Sequence, residues 1–179
     1  MPTLDVTLAG QCTAVGLAFV AAVTDWRKGE IPNWLTYPPL FIGPLVWGLT
    51  EGFWGLASSV GGMAACAFVP WLLWKLRAIG GGDLKLVAAM GAVAGLTNGL
   101  EFELAGFVVA ALYAFGRLAY EGKLFRTLSN SVFLALNPLM PKSWRRRVPP
   151  SLMSTVRMGG AFFVGASVSV LSHYPELWS

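Results

Sequence analysis

Charge is scarce in this sequence. Only 12% of its residues are Asp, Glu, Lys or Arg, against about 25% in a soluble domain. A chain so poor in charge, with 55% hydrophobic residues, cannot cover an ordinary water-exposed surface, and its composition fits a lipid bilayer. Histidine is nearly missing. The one present, His173, lies close to the C-terminus, which argues against a histidine-based metal centre. Cysteine is scarce as well. Cys12 and Cys66 form no CxxC pair, so a zinc ribbon or redox motif is excluded, and both read as buried thiols behaving as small apolar residues. No HExxH is present, and the residues imply no metal and no cofactor. A basic n-region and a convincing cleavage site are missing ahead of Asp25, so the first apolar segment reads as a retained span.

What is present points the same way. Eight Trp and 21 Gly suit a membrane protein, since Trp favours the bilayer interface and Gly is commoner in membrane helices than in soluble ones. A crossing helix needs about 20 mostly apolar residues. Six segments qualify: Leu4–Thr24, Trp34–Thr50, Phe53–Trp74, Leu84–Leu100, Phe102–Tyr120 and Val156–Tyr174. They are continuous apolar runs without alternation, which disfavours a β-barrel. The expectation is an all-α polytopic membrane protein with six transmembrane helices, a single membrane-embedded domain over 1–179.

With six spans the connections alternate sides, and all 13 Lys and Arg then fall on one side. Asp5, Glu51, Glu101, Glu103 and Glu176 fall on the other. Basic residues accumulate in cytoplasmic loops, so both termini are expected outside an inner membrane. The long polar connection, 121–155, is expected to be a basic cytoplasmic loop, with a short interfacial helix before Pro138 and Pro141. Its Arg145-Arg146-Arg147 run suits anionic lipid. Nucleic acid is not called for, because membrane topology already accounts for the charge.

Two carboxylates meet on the basic side. Asp25 ends the first span there, and Asp83 begins the fourth. Asp83 follows Gly80-Gly81-Gly82; it reads either as a helix N-cap or as a reactive acid beside a backbone that allows close approach. Asp25 sits at a helix C-terminus, where the macrodipole disfavours an anion; it is either solvated beside Arg27 or Lys28, or functional. Two adjacent carboxylates that share a proton can perform peptide hydrolysis: the ionised one takes a proton from water, while the protonated one polarises the carbonyl and later supplies the leaving amine. The helix dipoles favour Asp83 as base and Asp25 as acid. The competing reading is a small ion- or proton-coupled transporter, although such proteins place their acids nearer the midplane.

Asp25-Trp26-Arg27-Lys28-Gly29-Glu30-Ile31-Pro32-Asn33 resembles the first signature of the prepilin leader peptidases. Gly80-Gly81-Gly82-Asp83-Leu84-Lys85-Leu86 resembles their second, the GxGD motif. The resemblance implies an intramembrane aspartyl endopeptidase that removes short basic leaders from prepilin-like precursors at the cytoplasmic membrane face. It implies Asp25 and Asp83 as the catalytic pair, with Arg27, Pro32, Asn33, Gly80, Gly82 and Lys85 as substrate-orienting or structural positions. Physically, Pro32 should break helical structure and Asn33 should cap the second span. The CxxC-bearing insertion of the bifunctional members has no counterpart here, so the resemblance is to the compact, peptidase-only kind of tight-adherence pilus systems or to the archaeal preflagellin type, without N-methyltransferase activity. Oligomeric state and the identity of the substrate pilin are not legible. Near the last span, Thr155-Val156-Arg157-Met158-Gly159-Gly160-Ala161 stands where the family often has a Pro-Tyr-Gly entry.

Overall fold

The computed structural model describes residues 2–76, 78–120, 122 and 158–174. These form four helices: α1 (Pro2–Lys28), α2 (Asn33–Lys75), α3 (Gly81–Tyr120) and α4 (Gly159–His173). No strand occurs among the described residues. Within the first three, Val6–Lys28, Asn33–Lys75 and Gly81–Arg117 are long and apolar enough to cross a membrane; α4 is shorter and apolar. Except for Gly122, the expected loop 121–155 lies outside the described residues, as do Val156 and Arg157 at the entry to the last segment.

Both long helices are broken by a glycine at positive φ. Gly52 (φ 67°, ψ −146°) interrupts α2, and Gly95 (φ 80°, ψ 178°) interrupts α3. Glycine alone occupies this region without a Cβ penalty. In α2 the chain then folds back on itself. A Cβ at Gly48 would lie 3.6 Å from that of Leu56, and one at Gly55 would meet the Trp47 carbonyl. Residues eight apart lie about 12 Å apart along one continuous helix, so each such contact requires a hairpin. In α3 a Cβ at Gly99 would come 2.7 Å from the Gly91 Cα, by the same reasoning.

The break at Gly52 falls in the expected gap between Thr50 and Phe53. The break in α3 falls earlier than the sequence suggested, at Gly95 and not around Glu101. The reason is tertiary. A helix that stops at Gly95 frees the carbonyls of Ala92 and Val93, which cannot stay unpaired in an apolar setting. The Ser59 hydroxyl donates to Ala92 O at 2.6 Å, and Trp47 Nε1–H donates to Val93 O at 2.9 Å. The Leu96 N–H donates to Ser58 Oγ at 3.3 Å. Both halves of α2 therefore cap the break in α3. Ser59→Ala is expected to destabilise the fold by about 1–3 kcal/mol, the cost of a buried acceptor left unpaired. Thr13→Ala, which removes an exposed bond to its own helix, should stay within about 0.5 kcal/mol. Thermal unfolding in detergent measures both.

The described residues group into two compact units. The first comprises those up to Ala110 together with Met158–Tyr174; the second, from Ala111 onward, contains the last part of α3. In the first unit the helices approach closely at small residues, as membrane helices do. Added Cβ atoms at Gly43 and Gly62 would strike the Ala92 and Gly91 carbonyls, and one at Gly165 would strike the Gly106 backbone. The core gathers Ala14, Ala18 and Ala21 of α1, Leu86, Val87 and Met90 of α3, and Phe162 and Ala166 of α4. Large apolar side chains such as Phe41, Leu49, Phe53 and Trp54 point outward, as lipid-facing residues do. Cys66 is buried as expected, whereas Cys12 is exposed. An apolar run on α1 does not reveal which of its faces meets lipid.

Candidate active site

The first acid is positioned by the end of α1. Gly29 has φ 69°, and its N–H donates to the Asp25 carbonyl at 2.9 Å. This is a left-handed glycine cap, and it ends the helix one turn beyond Asp25. The side chain of Asp25 is buried, 7% exposed, while Arg27 and Lys28 are exposed. Among the described residues no ion pair joins Asp25 to either of them.

The second acid sits in the first turn of α3 and is 9% exposed. It is not the N-cap. The first helical bond runs from the Leu84 N–H to Gly80 O, and the Gly80 N–H donates to Asp83 Oδ2 at 3.2 Å. Asp83 therefore occupies the third helical position and reaches back to the cap residue, the returning half of a capping box. One carboxylate oxygen is engaged and directed by this bond. The other has no protein donor among the described residues.

The two signature segments touch. A Cβ at Gly82 would lie 3.1 Å from that of Ile31, so the missing side chain lets the Gly29–Asn33 connection lie against the start of α3. Lys85 Nζ donates to Asn33 Oδ1 at 2.8 Å. Asp25 and Asp83 lie within electrostatic reach of one another. Residues distant in the chain thus converge at one end of the helices, joined by a van der Waals contact and a hydrogen bond.

Several motif positions have different roles from those expected. Asn33 does not cap α2. The cap residue is Pro32, with extended backbone (φ −73°, ψ 144°) and no side-chain bond, and the Asn33 amide is directed at Lys85 instead. Pro32 does keep the connection out of helical conformation, as its fixed φ allows. Arg27 lines a groove with Phe19, Val23 and Phe163. Sequence reasoning missed Tyr37, whose ring centroid lies 5.0 Å from Lys85 Nζ, a cation–π distance. Its spacing four residues beyond Asn33, on one helical face, was the available signal. It also missed Glu103, which is 4% exposed and lies beside Cys66. The break at Gly95 carries this acid into the bundle and away from an outer loop. Glu101 accepts from Ser169 Oγ at 2.9 Å.

Comparison with known proteins gives the family. No solved structure matches the chain. A prepilin leader peptidase/N-methyltransferase of Neisseria gonorrhoeae is 34% identical over 143 residues, which cover 69% of this chain and 48% of the relative. The chain spans about half the length of that relative. The sequence model of the type IV leader peptidase family matches residues 12–115, a stretch holding both signature segments and all of α2. The chain belongs to the type IV leader peptidase family.

Proposed function

We propose that this protein is an aspartyl endopeptidase that cuts the short basic leader from prepilin-like precursors, with Asp25 and Asp83 as its catalytic pair. The observation that carries this reading is that two signature segments in contact set two buried carboxylates at the ends of two apolar helices. In the proposed reaction the pair carries one proton. Asp83, with one oxygen held by the Gly80 N–H, uses the other to take a proton from water. That water attacks the scissile carbonyl. Asp25 polarises the carbonyl by hydrogen bonding through its proton and then gives that proton to the departing amine, so the pair ends with the one proton that Asp83 took from water. Gly80-Gly81-Gly82 offers an open backbone against which an extended substrate can lie. Lys85, tied to Asn33 and Tyr37, holds the two signature segments in register. Because the matched relative carries both activities in its name, the restriction to peptidase activity is part of the proposal; it rests on the lack of any CxxC pair.

The direct test is co-expression with candidate short-leader pilin precursors. Processing is read as a mobility shift, and the new N-terminus is examined by mass spectrometry for cleavage and methylation. Failure to cut any such precursor, with the protein folded in the membrane, would count against the reading. A methylated N-terminus would refute the peptidase-only part alone.

The proposal includes six crossings of the inner membrane, with the acids on the cytoplasmic side. Hairpins at Gly52 and Gly95 support it, since each turns one long helix into two antiparallel halves. With Cys12 and Cys66 replaced by Ala, Glu51→Cys is expected to react with an impermeant maleimide in intact cells. Glu30→Cys should react only after lysis. The reverse pattern would invert the topology.

A further inference from the structure

A second shallow cavity, of about 380 Å³, opens on the outer face between α2 and α3. Leu40, Ala64, Ala67 and Phe68 line its apolar body. Trp71, Leu84 and Lys85 lie toward the end where α2 finishes and α3 begins. Lys85 is the only charged residue of the lining. A second ammonium stands at the same end: Lys75 Nζ lies 3.9 Å from the centroid of the Trp71 ring. Lys85 is held in place by Asn33 Oδ1 and faces the Tyr37 ring. No carboxylate among the described residues pairs with either lysine. One cation in the lining and a second over a lining ring therefore stand at the groove, each beside an aromatic face and neither paired with a carboxylate among the described residues.

We propose that this groove binds an anionic phospholipid, with the phosphate between Lys75 and Lys85 and an acyl chain along Leu40, Ala64, Ala67 and Phe68. The charge argument selects the occupant. Both ammonium groups stand at helix ends, at headgroup depth, with Lys75 exposed and Lys85 partly so, and a phosphate can accept charge-assisted hydrogen bonds from them. Basic pockets between helices at a membrane surface take anionic headgroups in this way. The alanines keep the floor low enough for a chain to lie in, and the aromatics wall it. A zwitterionic lipid brings its own cation to the headgroup end and loses the electrostatic gain. The site needs no chemistry from Asp25 or Asp83, so it stands or falls apart from the proposed peptidase activity.

The test uses the full chain in phosphatidylcholine vesicles carrying a minor share of phosphatidylglycerol with a photoactivatable diazirine in its acyl chain. Crosslinked peptides are then mapped by mass spectrometry. Labelling is expected on the stretches around 64–71 and 84–88. It should fall about fivefold for Lys75→Gln or Lys85→Gln alone, and further for the pair. Ala67→Trp, which fills the groove and leaves both charges, should also displace the label. Diazirine-tailed phosphatidylcholine should label these peptides only weakly. Equal labelling by the two lipids, unchanged labelling in the double-lysine variant, or labelling confined to other faces would overturn the proposal. So would a groove that crosslinks the apolar segment of a co-reconstituted precursor and excludes lipid. A Lys variant that fails to fold is recognised by its thermal transition, and Ala67→Trp then decides the question.

Discussion

Asp83→Asn is expected to stop precursor cleavage while leaving the fold intact, with kcat reduced about 10²–10⁴-fold. The change is nearly isosteric. The amide oxygen of Asn can still accept the Gly80 N–H that Asp83 Oδ2 now accepts at 3.2 Å, so the start of α3 keeps its cap. The contacts of Gly82 with Ile31 and of Lys85 with Asn33 do not involve the carboxylate and should survive. What is lost is a group able to take a proton from water. Asp25→Asn should have an equally large effect, because the reaction needs a donor as well as an acceptor. If the two acids act as a unit around one water, the double variant should be little worse than either single one. Gel-shift kinetics on one precursor, with thermal unfolding of each variant as the folding control, make the test. Near-normal cleavage by Asp83→Asn in a well-folded sample would remove the aspartyl mechanism. A loss of activity matched by a loss of folding would show instead that Asp83 serves mainly to hold the helix end.

Much of this arrangement is legible in the sequence. The two signature segments stand out as short polar stretches in a strongly apolar chain, and simple topology brings Asp25 and Asp83 to the same end. Gly52 was readable because a charged residue, Glu51, precedes it between two apolar runs. The break at Gly95 was not, because the nearest polar cluster lies further on, at Asn98–Glu101. The position of the break depends on Trp47 and Ser59 supplying donors to the freed carbonyls, and those partners come from a different helix. The same limit explains Asn33. Local preference makes Asn a good helix cap, yet its oxygen is taken by an ammonium far along the chain. Asp83 departs from expectation by a smaller margin. The glycine run correctly signals a helix start, but the carboxylate reaches back to the cap residue from the third position instead of capping the helix itself. In each case the local signal marked a boundary, and tertiary contacts decided what the side chain does there.

Two helical glycines, one in α2 and one in α3, should respond in opposite ways to the same substitution: Gly61→Ala is expected to be neutral or mildly stabilising, and Gly91→Ala strongly destabilising. At Gly61 an added Cβ meets nothing within 4 Å, so the substitution only restricts the unfolded chain and improves helix propensity, a gain of about 0.5–1 kcal/mol. At Gly91 the same carbon would run into the Gly62 carbonyl and come 2.8 Å from Cys66 Sγ. The obstacle is backbone, which cannot rotate away, so the second half of α2 and the first half of α3 must separate. Overpacking of this kind costs about 1–3 kcal/mol. Separation also stretches the Ser59 bond to Ala92 O, one residue further along α3, which is already short at 2.6 Å. Losing it leaves an acceptor unpaired in an apolar environment, at about 1–3 kcal/mol more. Because the capped break at Gly95 folds the second half of α3 back against the first, the damage should spread beyond the contact. Gly91→Ala should therefore lower the thermal midpoint in detergent by far more than any exposed substitution, and a larger residue there should prevent accumulation in the membrane. Equal midpoints for Gly61→Ala and Gly91→Ala would mean that these helices are not packed backbone to backbone.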